Sequence, residues 1–390
     1  MAIERVLLIV LDGVGIGALP DANRYGDEGA HTLGHIANTI ENFHIPHLEK
    51  LGLGAICPLK GVRIPQKMEG AYGKMNEISA GKDTTTGHWE MMGIEVKKPF
   101  PLFPEGFPQA FLDEFKQKTG IKNILGNYPA SGTEIIQTLG EEHLRTGFPI
   151  IYTSGDSVFQ IACHDDIFSL EALYQLCAVA RKIGDCYQLG RVIARPFKGT
   201  HRENFERTPY RRDYSFPLPQ KTVLDFLNEA SIEVIGIGKI EDIFNGQGLT
   251  RSHRTKSNAM GVDASLREME SLKRGLIFAN LVDFDQLYGH RRDTKGFASA
   301  LMEFDRALPK IMKTMRDDGC LIITADHGTD PTYRGTDHTR EFVPLLVYSA
   351  QIKPVALGTR KSFADIGQTI VDCFQLSSLA IGESFLPNLI

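Results

Sequence analysis

Residues 5–13 read RVLLIVLDG, an apolar run of strand length that ends in an aspartate and a glycine. Residues 6–11 have the length and the aliphatic, partly β-branched composition of a strand, and a glycine-rich turn follows directly. The C-terminal third repeats this pattern, with apolar runs at 276–282 and 321–324 and a helical pattern at 297–315. Strands that alternate with helices predict an α/β fold with a parallel sheet.

Composition and charge narrow the class of protein. The 390 residues are 42% hydrophobic and 23% charged, and 43 basic against 48 acidic residues give a net charge of −5. This balance argues against a nucleic-acid or membrane-surface protein. The first apolar run is too short for a signal sequence or a membrane span. The six cysteines form no CxxC pair, so we expect free thiols and a cytoplasmic location.

Two proline-rich stretches divide the chain into three parts. They are FPLFPEGFP at 100–108 and FPLP at 216–219. Proline stiffens the backbone and is common where a chain crosses between compact units. We therefore expect residues 101–218 to form an inserted domain, and 1–100 and 219–390 to form one discontinuous core. The alternative is a single large domain with proline-containing loops.

Aspartate and histidine side chains follow three of the predicted strands. Ligands in open α/β sheets gather outside the carboxyl ends of strands, so residues distant in sequence can converge there. Carboxylates and neutral imidazoles together favour manganese, zinc or iron over calcium. One aspartate after a strand is more often a cap or turn residue, but repetition at three strand ends predicts a metal site. The residues are Asp12, Asp285, His290, Asp326, His327 and His338.

The segment GKDTTTGHWE, residues 81–90, places three threonines before a short helical pattern. A threonine hydroxyl at a helix start can carry a phosphate, because the free N–H groups and the helix dipole favour an anion. A nearby metal ion would lower the pKa of the hydroxyl and make it a nucleophile. Taken alone, the pattern is more typical of a threonine N-cap. A P-loop does not fit, because Asp83 follows Gly81-Lys82 where serine or threonine is required.

With these motifs, the sequence resembles the phosphopentomutase family of the alkaline-phosphatase superfamily over essentially its whole length. The stretches that carry the resemblance include GKDTTTGHWE (81–90), YTSGDSVFQIA (152–162), GRVIARPF (190–197), LVDFDQLYGHRRD (281–293) and TADHGTDPTYRGTDHTREFVPLL (324–346). The resemblance implies an alkaline-phosphatase-like core, with a parallel sheet flanked by helices, and an inserted α+β cap domain.

The same resemblance implies two metal ions per chain. The ligands expected for the first ion are Asp12, Thr84, Asp326 and His327. The ligands expected for the second are Asp285, His290 and His338. Thr84 corresponds to the threonine that is phosphorylated in the family, whereas Thr85 and Thr86 do not. We therefore expect Thr84 to be the catalytic nucleophile.

Substrate contacts are also expected by resemblance. The corresponding residues are Ser154, Asp156, Arg191, Arg207 and Lys239, of which the last lies in the predicted core. Arginine presents a planar fork that suits phosphate. Six arginines fall between residues 191 and 212. Without the resemblance, such a run would indicate a solvated face or a nucleic-acid surface, and the acidic net charge weakens the second reading.

The reaction implied by the resemblance interconverts ribose 1-phosphate and ribose 5-phosphate, or the 2-deoxyribose equivalents, through a phosphothreonine and a sugar bisphosphate. The family depends on manganese and is activated by a sugar bisphosphate such as glucose 1,6-bisphosphate. The expected partners are small pentose phosphates, not nucleic acids or membranes. A closing cap would keep water from the phosphoenzyme. The sequence leaves the pentose preference and the oligomeric state open, a monomer included.

Three alternatives compete with this interpretation. A phosphatase, or a cofactor-independent phosphoglycerate mutase, could use the same metal motifs. A dinucleotide-dependent oxidoreductase is suggested by Gly13-x-Gly15-x-x-Ala18 after the first strand, but Asp12 would place negative charge beside the pyrophosphate. A non-catalytic metal-binding protein would keep the aspartates and histidines and would not need the threonine segment.

Overall fold

A computed structural model describes residues 3–390. Its internal contacts divide the chain into two units, one made of the residues up to Lys98 with Pro219–Ile390, and the other of Pro99–Leu218. The strands are β1 (Arg5–Leu11), β2 (Ala71–Met75), β3 (Leu125–Pro129), β4 (Ile150–Thr153), β5 (Val158–His164), β6 (Arg191–Lys198), β7 (Glu206–Arg207), β8 (Arg212–Ser215), β9 (Glu233–Ile237), β10 (Arg251–His253), β11 (Gly275–Leu281), β12 (Gly319–Thr324), β13 (Val343–Tyr348) and β14 (Ala356–Arg360).

The α-helices are α1 (Thr32–Thr39), α2 (Pro46–Leu51), α3 (Leu53–Ile56), α4 (Thr84–Met91), α5 (Gln109–Thr119), α6 (Gly132–Thr146), α7 (Leu170–Cys186), α8 (Val223–Glu229), α9 (Ile240–Ile243), α10 (Asn258–Ser271), α11 (Thr294–Thr314), α12 (Ala364–Cys373) and α13 (Leu386–Leu389). A short 3₁₀ helix covers Ala22–Tyr25, and a turn of π-helix covers Phe284–Gly289. No helix within residues 3–390 is long and apolar enough to cross a membrane.

The first unit is built on an eight-stranded sheet in the order β10-β9-β11-β1-β12-β13-β2-β14. The five strands from β10 to β12 are parallel, as the sequence predicts. In contrast, β13 runs antiparallel to both of its neighbours, β12 and β2. The sheet is therefore parallel on one side and mixed on the other. The sequence did not predict this, because strand direction depends on pairing and is not encoded in the local apolar pattern.

The three strands that carry the acidic motifs lie side by side in the middle of this sheet. The apolar runs are strands, as predicted, and every residue of β1, β11 and β12 is buried, so the sheet is covered on both faces here. Leu11 is in register with Leu281, and Val10 with Thr324. The carboxyl ends of the three strands therefore meet at one edge, where the residues that follow them can converge.

The second unit has a six-stranded sheet in the order β3-β4-β5-β6-β7, with β8 paired to β6. Helices α5 and α7 form one apolar cluster with alternate sheet residues such as Ile151. Helix α6 forms the other cluster with Ile150 and Tyr152. Because successive strand residues point to opposite faces, the two clusters cover the two sides of this sheet. The unit is thus a self-contained α+β layer structure.

The cysteines of the chain are all free. Five of the six are buried, and Cys186 is exposed. Burial raises the pKa of the Cys57 and Cys373 thiols to about 12. A thiol with a raised pKa is mostly protonated at neutral pH and therefore a weak nucleophile.

Candidate functional site

Three predicted ligands converge after β1 and β12. Asp12, Asp326 and His327 each offer one ligand atom, and these atoms lie within 4.8 Å of one another. His327 Nε2 is 3.5 Å from Asp12 Oδ1 and 3.3 Å from Asp326 Oδ2. All three side chains are buried. We call this group the first cluster.

Thr84 lies beside the first cluster at the start of α4. Its Oγ1 is 3.1 Å from His327 Nε2. The N-cap of α4 is Asp83, whose carboxylate accepts hydrogen bonds from the backbone N–H and the hydroxyl of Thr86. Because Asp83 fills the capping position, the Thr84 hydroxyl is left to face His327. The reading of these threonines as N-caps is therefore wrong.

The second cluster follows β11. Asp285, His290 and His338 also offer ligand atoms within 4.8 Å of one another. His290 Nε2 is 3.1 Å from Asp285 Oδ2, and His338 Nε2 is 3.6 Å from Asp285 Oδ1. Asp285 lies in the π-helical turn Phe284–Gly289, and His290 directly follows that turn. The turn therefore brings the His290 ring to the carboxylate of Asp285, five positions earlier in the sequence.

The two clusters are in direct contact. The imidazole rings of His327 and His338 stack with their centroids 4.0 Å apart. The hydroxyl of Thr329 donates to Asp285 Oδ1 at 2.9 Å and lies 3.4 Å from His327 Nδ1. The seven predicted metal ligands therefore form one continuous polar site in the first unit. They are Asp12, Thr84, Asp285, His290, Asp326, His327 and His338.

The charges in the first cluster fit a bound cation. Burial, and then the charge of Asp326, raises the pKa of Asp12. Burial alone would raise the pKa of Asp326, but His327 and His88 outweigh it and lower the pKa to about 2. Among residues 3–390, Asp12 Oδ1 and Asp326 Oδ2 accept no hydrogen bond of normal geometry, although imidazole nitrogens lie 3.3–3.5 Å from them. Two buried carboxylates with unsatisfied oxygens are a donor set that a divalent cation fits.

At the second cluster, histidines again outweigh the effect of burial on a carboxylate. Burial alone would raise the pKa of Asp285, but the charge of His338 and hydrogen bonds from both histidines lower it well below its ordinary value. Asp285 is therefore a carboxylate at neutral pH. One carboxylate and two imidazoles are ligands for a first-row divalent metal. Both clusters are thus candidate metal-binding groups.

Close backbone contacts hold α4 against the first cluster. A Cβ at Gly87 would collide with the carbonyl oxygen of Asp326, so only glycine allows this approach. Gly13 has φ +80° and no room for a side chain next to Thr329, and its N–H donates to Asp326 Oδ1 at 3.1 Å. The glycine after Asp12 therefore allows the turn and supplies a hydrogen bond.

Lys239 is the one predicted substrate residue in the first unit. It precedes α9, and its Nζ lies 3.0 Å from Asp12 Oδ2. The side chain is 29% exposed, whereas Asp12 is fully buried. An ammonium group at this distance supplies positive charge beside the first cluster. The sequence gives no sign of this contact, because Lys239 follows β9, a different strand from the aspartate motifs.

In the second unit, Arg191, Asp156 and Ser154 lie together. Arg191 Nη2 is 3.0 Å from Asp156 Oδ2, and the backbone N–H of Asp156 points to Ser154 Oγ at 3.5 Å. Arg191 Nη1 is also 3.8 Å from Asp213 Oδ2. Burial alone would raise the pKa of Asp213, but Arg211, and then Arg191 and Arg195, lower it to about 2.

Arg207 belongs to a second arginine group in the same unit. It is paired with Phe197 across β6 and β7, and its guanidinium lies against Gly132 at the start of α6. Burial, and then the charges of Arg211 and Arg207, lower the pKa of Arg195 to about 10. Mutual repulsion of this kind favours an anion that neutralises the group.

Sequence reasoning missed two residues of the site in the first unit. Thr329 follows His327 by two positions and joins the clusters, and its motif TADHGTD contains no signal for that contact. His88 Nδ1 lies 2.8 Å from the Thr84 carbonyl oxygen and 3.3 Å from Asp326 Oδ2. Thr84 and His88 are four residues apart and lie on one helix face, and this spacing could have indicated that His88 belongs to the site.

Known proteins resemble this chain over nearly its whole length. The Metalloenzyme superfamily model matches residues 4–378. The phosphopentomutase of Caldanaerobacter subterraneus is 55% identical over 99% of this chain and 98% of its own. That of Symbiobacterium thermophilum is 53% identical over 100% of this chain and 99% of its own.

Solved structures share the fold at much lower sequence identity. PH0037 from Pyrococcus horikoshii has a TM-score of 0.51 and 14% identity, with 98% of this chain and 100% of that chain covered. The Leishmania mexicana phosphoglycerate mutase has a TM-score of 0.51 and 11% identity, with 98% and 97% covered. The predicted alkaline-phosphatase-like α/β fold is confirmed. On the identity of its full-length relatives, the chain belongs to the phosphopentomutase family, a family of intramolecular phosphotransferases.

Proposed function

We propose that this enzyme interconverts ribose 1-phosphate and ribose 5-phosphate, and the 2-deoxyribose equivalents, through a phosphorylated Thr84. The observation that carries the proposal is the position of the Thr84 hydroxyl, 3.1 Å from His327 Nε2 at the first turn of α4. A phosphate on this oxygen would lie at the positive end of the helix dipole. The relatives named phosphopentomutase support the pentose phosphate as substrate.

The proposed reaction has two half-reactions of the same kind. In the first, the free hydroxyl of the bound pentose phosphate attacks phosphorus, and the bond from phosphorus to Thr84 Oγ1 breaks. The sugar hydroxyl loses its proton, Thr84 Oγ1 gains one, and a sugar bisphosphate forms. After reorientation, the other phosphate returns to Thr84. Protons and phosphates balance over the cycle, so a sugar bisphosphate such as glucose 1,6-bisphosphate is needed only to phosphorylate Thr84 at the start.

Two Mn²⁺ ions are proposed as cofactors. The first would be held by Asp12, Thr84, Asp326 and His327, and the second by Asp285, His290 and His338. When bound, such a pair supplies positive charge to the attacking and leaving oxygens of an in-line transfer. The unsatisfied carboxylate oxygens of Asp12 and Asp326 support the first assignment. The stacked rings of His327 and His338 support a second ion near the first.

The second unit is proposed as a substrate-binding cap. We assign Arg191 and Arg207 to the phosphate that does not react, and Ser154 and Asp156 to the sugar hydroxyls. Lys239, next to Asp12, is assigned to the same substrate. The concentration of positive charge around Arg195, Arg207 and Arg211 supports an anionic ligand. The free cysteines support a reducing, cytoplasmic location.

An assay of the purified enzyme tests the proposed reaction. With Mn²⁺ and a trace of glucose 1,6-bisphosphate, ribose 1-phosphate should be converted to ribose 5-phosphate without net release of inorganic phosphate. The same preparation should fail to convert 3-phosphoglycerate to 2-phosphoglycerate. Release of inorganic phosphate at the rate of substrate loss would identify a phosphatase. Conversion of phosphoglycerate would identify a cofactor-independent phosphoglycerate mutase.

Replacement of Arg191 by lysine tests the proposed phosphate contact. Lysine keeps the charge but loses the fork that arginine presents to two oxygens at once. Pentose phosphate binding should weaken by about 1–3 kcal/mol, while Thr84 should still be phosphorylated by glucose 1,6-bisphosphate. The measurements are the pentose phosphate KM, the mutase kcat and the release of free phosphate. Arg207→Ala should raise the KM in the same way.

Arg202→Lys is the matched control, because Arg202 lies in the same arginine-rich stretch and is exposed. It should behave as the wild type. If Arg191→Lys and Arg207→Ala also keep wild-type values of all three quantities, these arginines are surface residues and the substrate site lies elsewhere.

A further inference from the structure

Arg340 is a buried arginine two residues after His338, and its exposed fraction is only 2%. Its guanidinium contacts the segment Glu77–Gly81, which leads to the three threonines at 84–86. Nη1 lies 2.8 Å from the Ser79 carbonyl oxygen and 2.6 Å from that of Gly81. Nη2 donates to the Glu77 carbonyl oxygen at 2.9 Å. One side chain thus holds three backbone carbonyls of a segment that is more than 250 positions away in sequence.

The charge of Arg340 is matched by acids on both sides. Nη1 is 2.6 Å from the carboxylate of Glu77, which is 3% exposed. Nε and Nη2 each lie 3.2 Å from the carboxylate of Asp21. The planar fork of arginine can serve a carboxylate and several carbonyls at once, whereas the ammonium group of lysine cannot. The contacts therefore require arginine and not merely a positive charge.

A second link joins the same two segments through Asp27. Its Oδ2 accepts a hydrogen bond from the backbone N–H of Arg340 at 3.0 Å and lies 3.0 Å from Lys82 Nζ. Lys82 precedes Thr84 by two residues. The backbone and the side chain of Arg340 are therefore both connected to the residues that lead into α4.

The connection continues from Gly81 into the first turn of α4. A Cβ at Gly81 would collide with the side chain of Thr86, so the two residues are in close contact. Thr86 is in turn bonded to the N-cap residue Asp83. A displacement of the Gly81 carbonyl would therefore move the start of α4 and, with it, the Thr84 hydroxyl.

We propose that Arg340 is a positioning residue, which fixes the nucleophile Thr84 relative to His338 through the segment Glu77–Gly81. The inference rests on the proposed function, because it takes Thr84 as the nucleophile. Arg340 touches neither substrate nor phosphate in this role. It sets the distance between two groups that belong to separate parts of the sequence, and a shift of about 1 Å between reacting groups can cost on the order of 100-fold in rate.

Arg340→Lys is the first test. The rate at which glucose 1,6-bisphosphate phosphorylates Thr84 is followed by intact mass at saturating Mn²⁺. The expected result is a rate lower by about 10- to 100-fold, with metal content and the Kd for ribose 5-phosphate within about twofold of wild type. Added guanidinium ion should restore part of the rate in Arg340→Ala. A wild-type phosphorylation rate in Arg340→Lys would overturn the inference.

The control is Arg360→Lys. Arg360 also bonds a buried carboxylate, that of Asp365, and a backbone carbonyl, that of Glu383, but it has no contact with the threonine segment among those described for it. In the Arg360→Lys variant, glucose 1,6-bisphosphate should phosphorylate Thr84 at the wild-type rate. An equal loss of rate in Arg360→Lys would mean that general destabilisation explains both variants, and the inference would fail.

Glu77→Gln serves as a second variant if Arg340→Lys does not fold. It keeps the size of the side chain and removes the charge opposite Arg340, and it should also slow phosphorylation without a change in ribose 5-phosphate affinity; unchanged phosphorylation would contradict the inference. Thr84→Ala separates this inference from the proposed function. If Thr84→Ala is active, the proposed function fails. If it is inactive while Arg340→Lys is normal, only the positioning role fails.

Discussion

Thr84→Ala is expected to abolish mutase activity, with a loss of at least about 10⁴-fold. No other described hydroxyl of the threonine motif is placed to replace it, because Thr86 is bonded to Asp83 and the Thr84 oxygen alone lies next to His327. The change removes one methyl group and one hydroxyl from a nearly buried position. We therefore expect the melting temperature to change little while the phosphoenzyme disappears.

Intact-mass measurement after treatment with glucose 1,6-bisphosphate provides the readout. The wild type should gain one phosphate, and Thr84→Ala should gain none. Thr85→Ala is the matched control, since Thr85 is the next residue on the same helix and is similarly buried, and it should be phosphorylated normally. Phosphate located on Thr85 or Thr86 by peptide mapping would show that the nucleophile is assigned to the wrong residue.

Asp326→Asn should lower activity by roughly three orders of magnitude. The variant keeps the shape of the side chain but removes a negative charge that is fully buried and held ionised by His327 and His88. The first cluster would then offer a metal ion one carboxylate instead of two. Elemental analysis should find about one equivalent of manganese per chain, compared with the two expected for the wild type.

Asp318→Asn provides the control for Asp326→Asn. Asp318 directly precedes β12, at the opposite end of the strand that leads to Asp326, and it pairs with Arg5. The control should lose some stability but keep two equivalents of metal and full specific activity. A normal manganese content in Asp326→Asn, or full activity of the wild type after exhaustive chelation, would rule out the proposed two-metal site.

The sequence predicts the core of this fold because the decisive signals are local. Each of β1, β11 and β12 is an apolar run followed within five residues by an aspartate, and the carboxyl-edge rule for parallel strands brings these aspartates together. The structure brings the predicted ligands into two clusters. Their roles as ligands, and the roles of the substrate residues, stay predictions until metal content and binding are measured.

Other features depend on contacts that no local pattern contains. The antiparallel direction of β13 follows from its pairing with β12 and β2. The contact of Lys239 with Asp12 joins residues 227 positions apart. Thr329 and Arg340 act through hydrogen bonds that depend on how loops pack, and loop packing is decided by the whole chain. A threonine or an arginine in a polar loop is usually exposed to solvent, so residue type alone does not predict the buried contacts of Thr329 and Arg340.

The central position of β1 has a consequence for the synthesis of the chain. Both of its neighbours, β11 and β12, are made late, and β12 starts only at Gly319. A nascent chain therefore carries an apolar strand with both edges unpaired until most of the protein has left the ribosome. Such a strand is a template for wrong pairing with other chains. Productive folding of this enzyme must begin elsewhere, and the N-terminal strand must be inserted between two late partners.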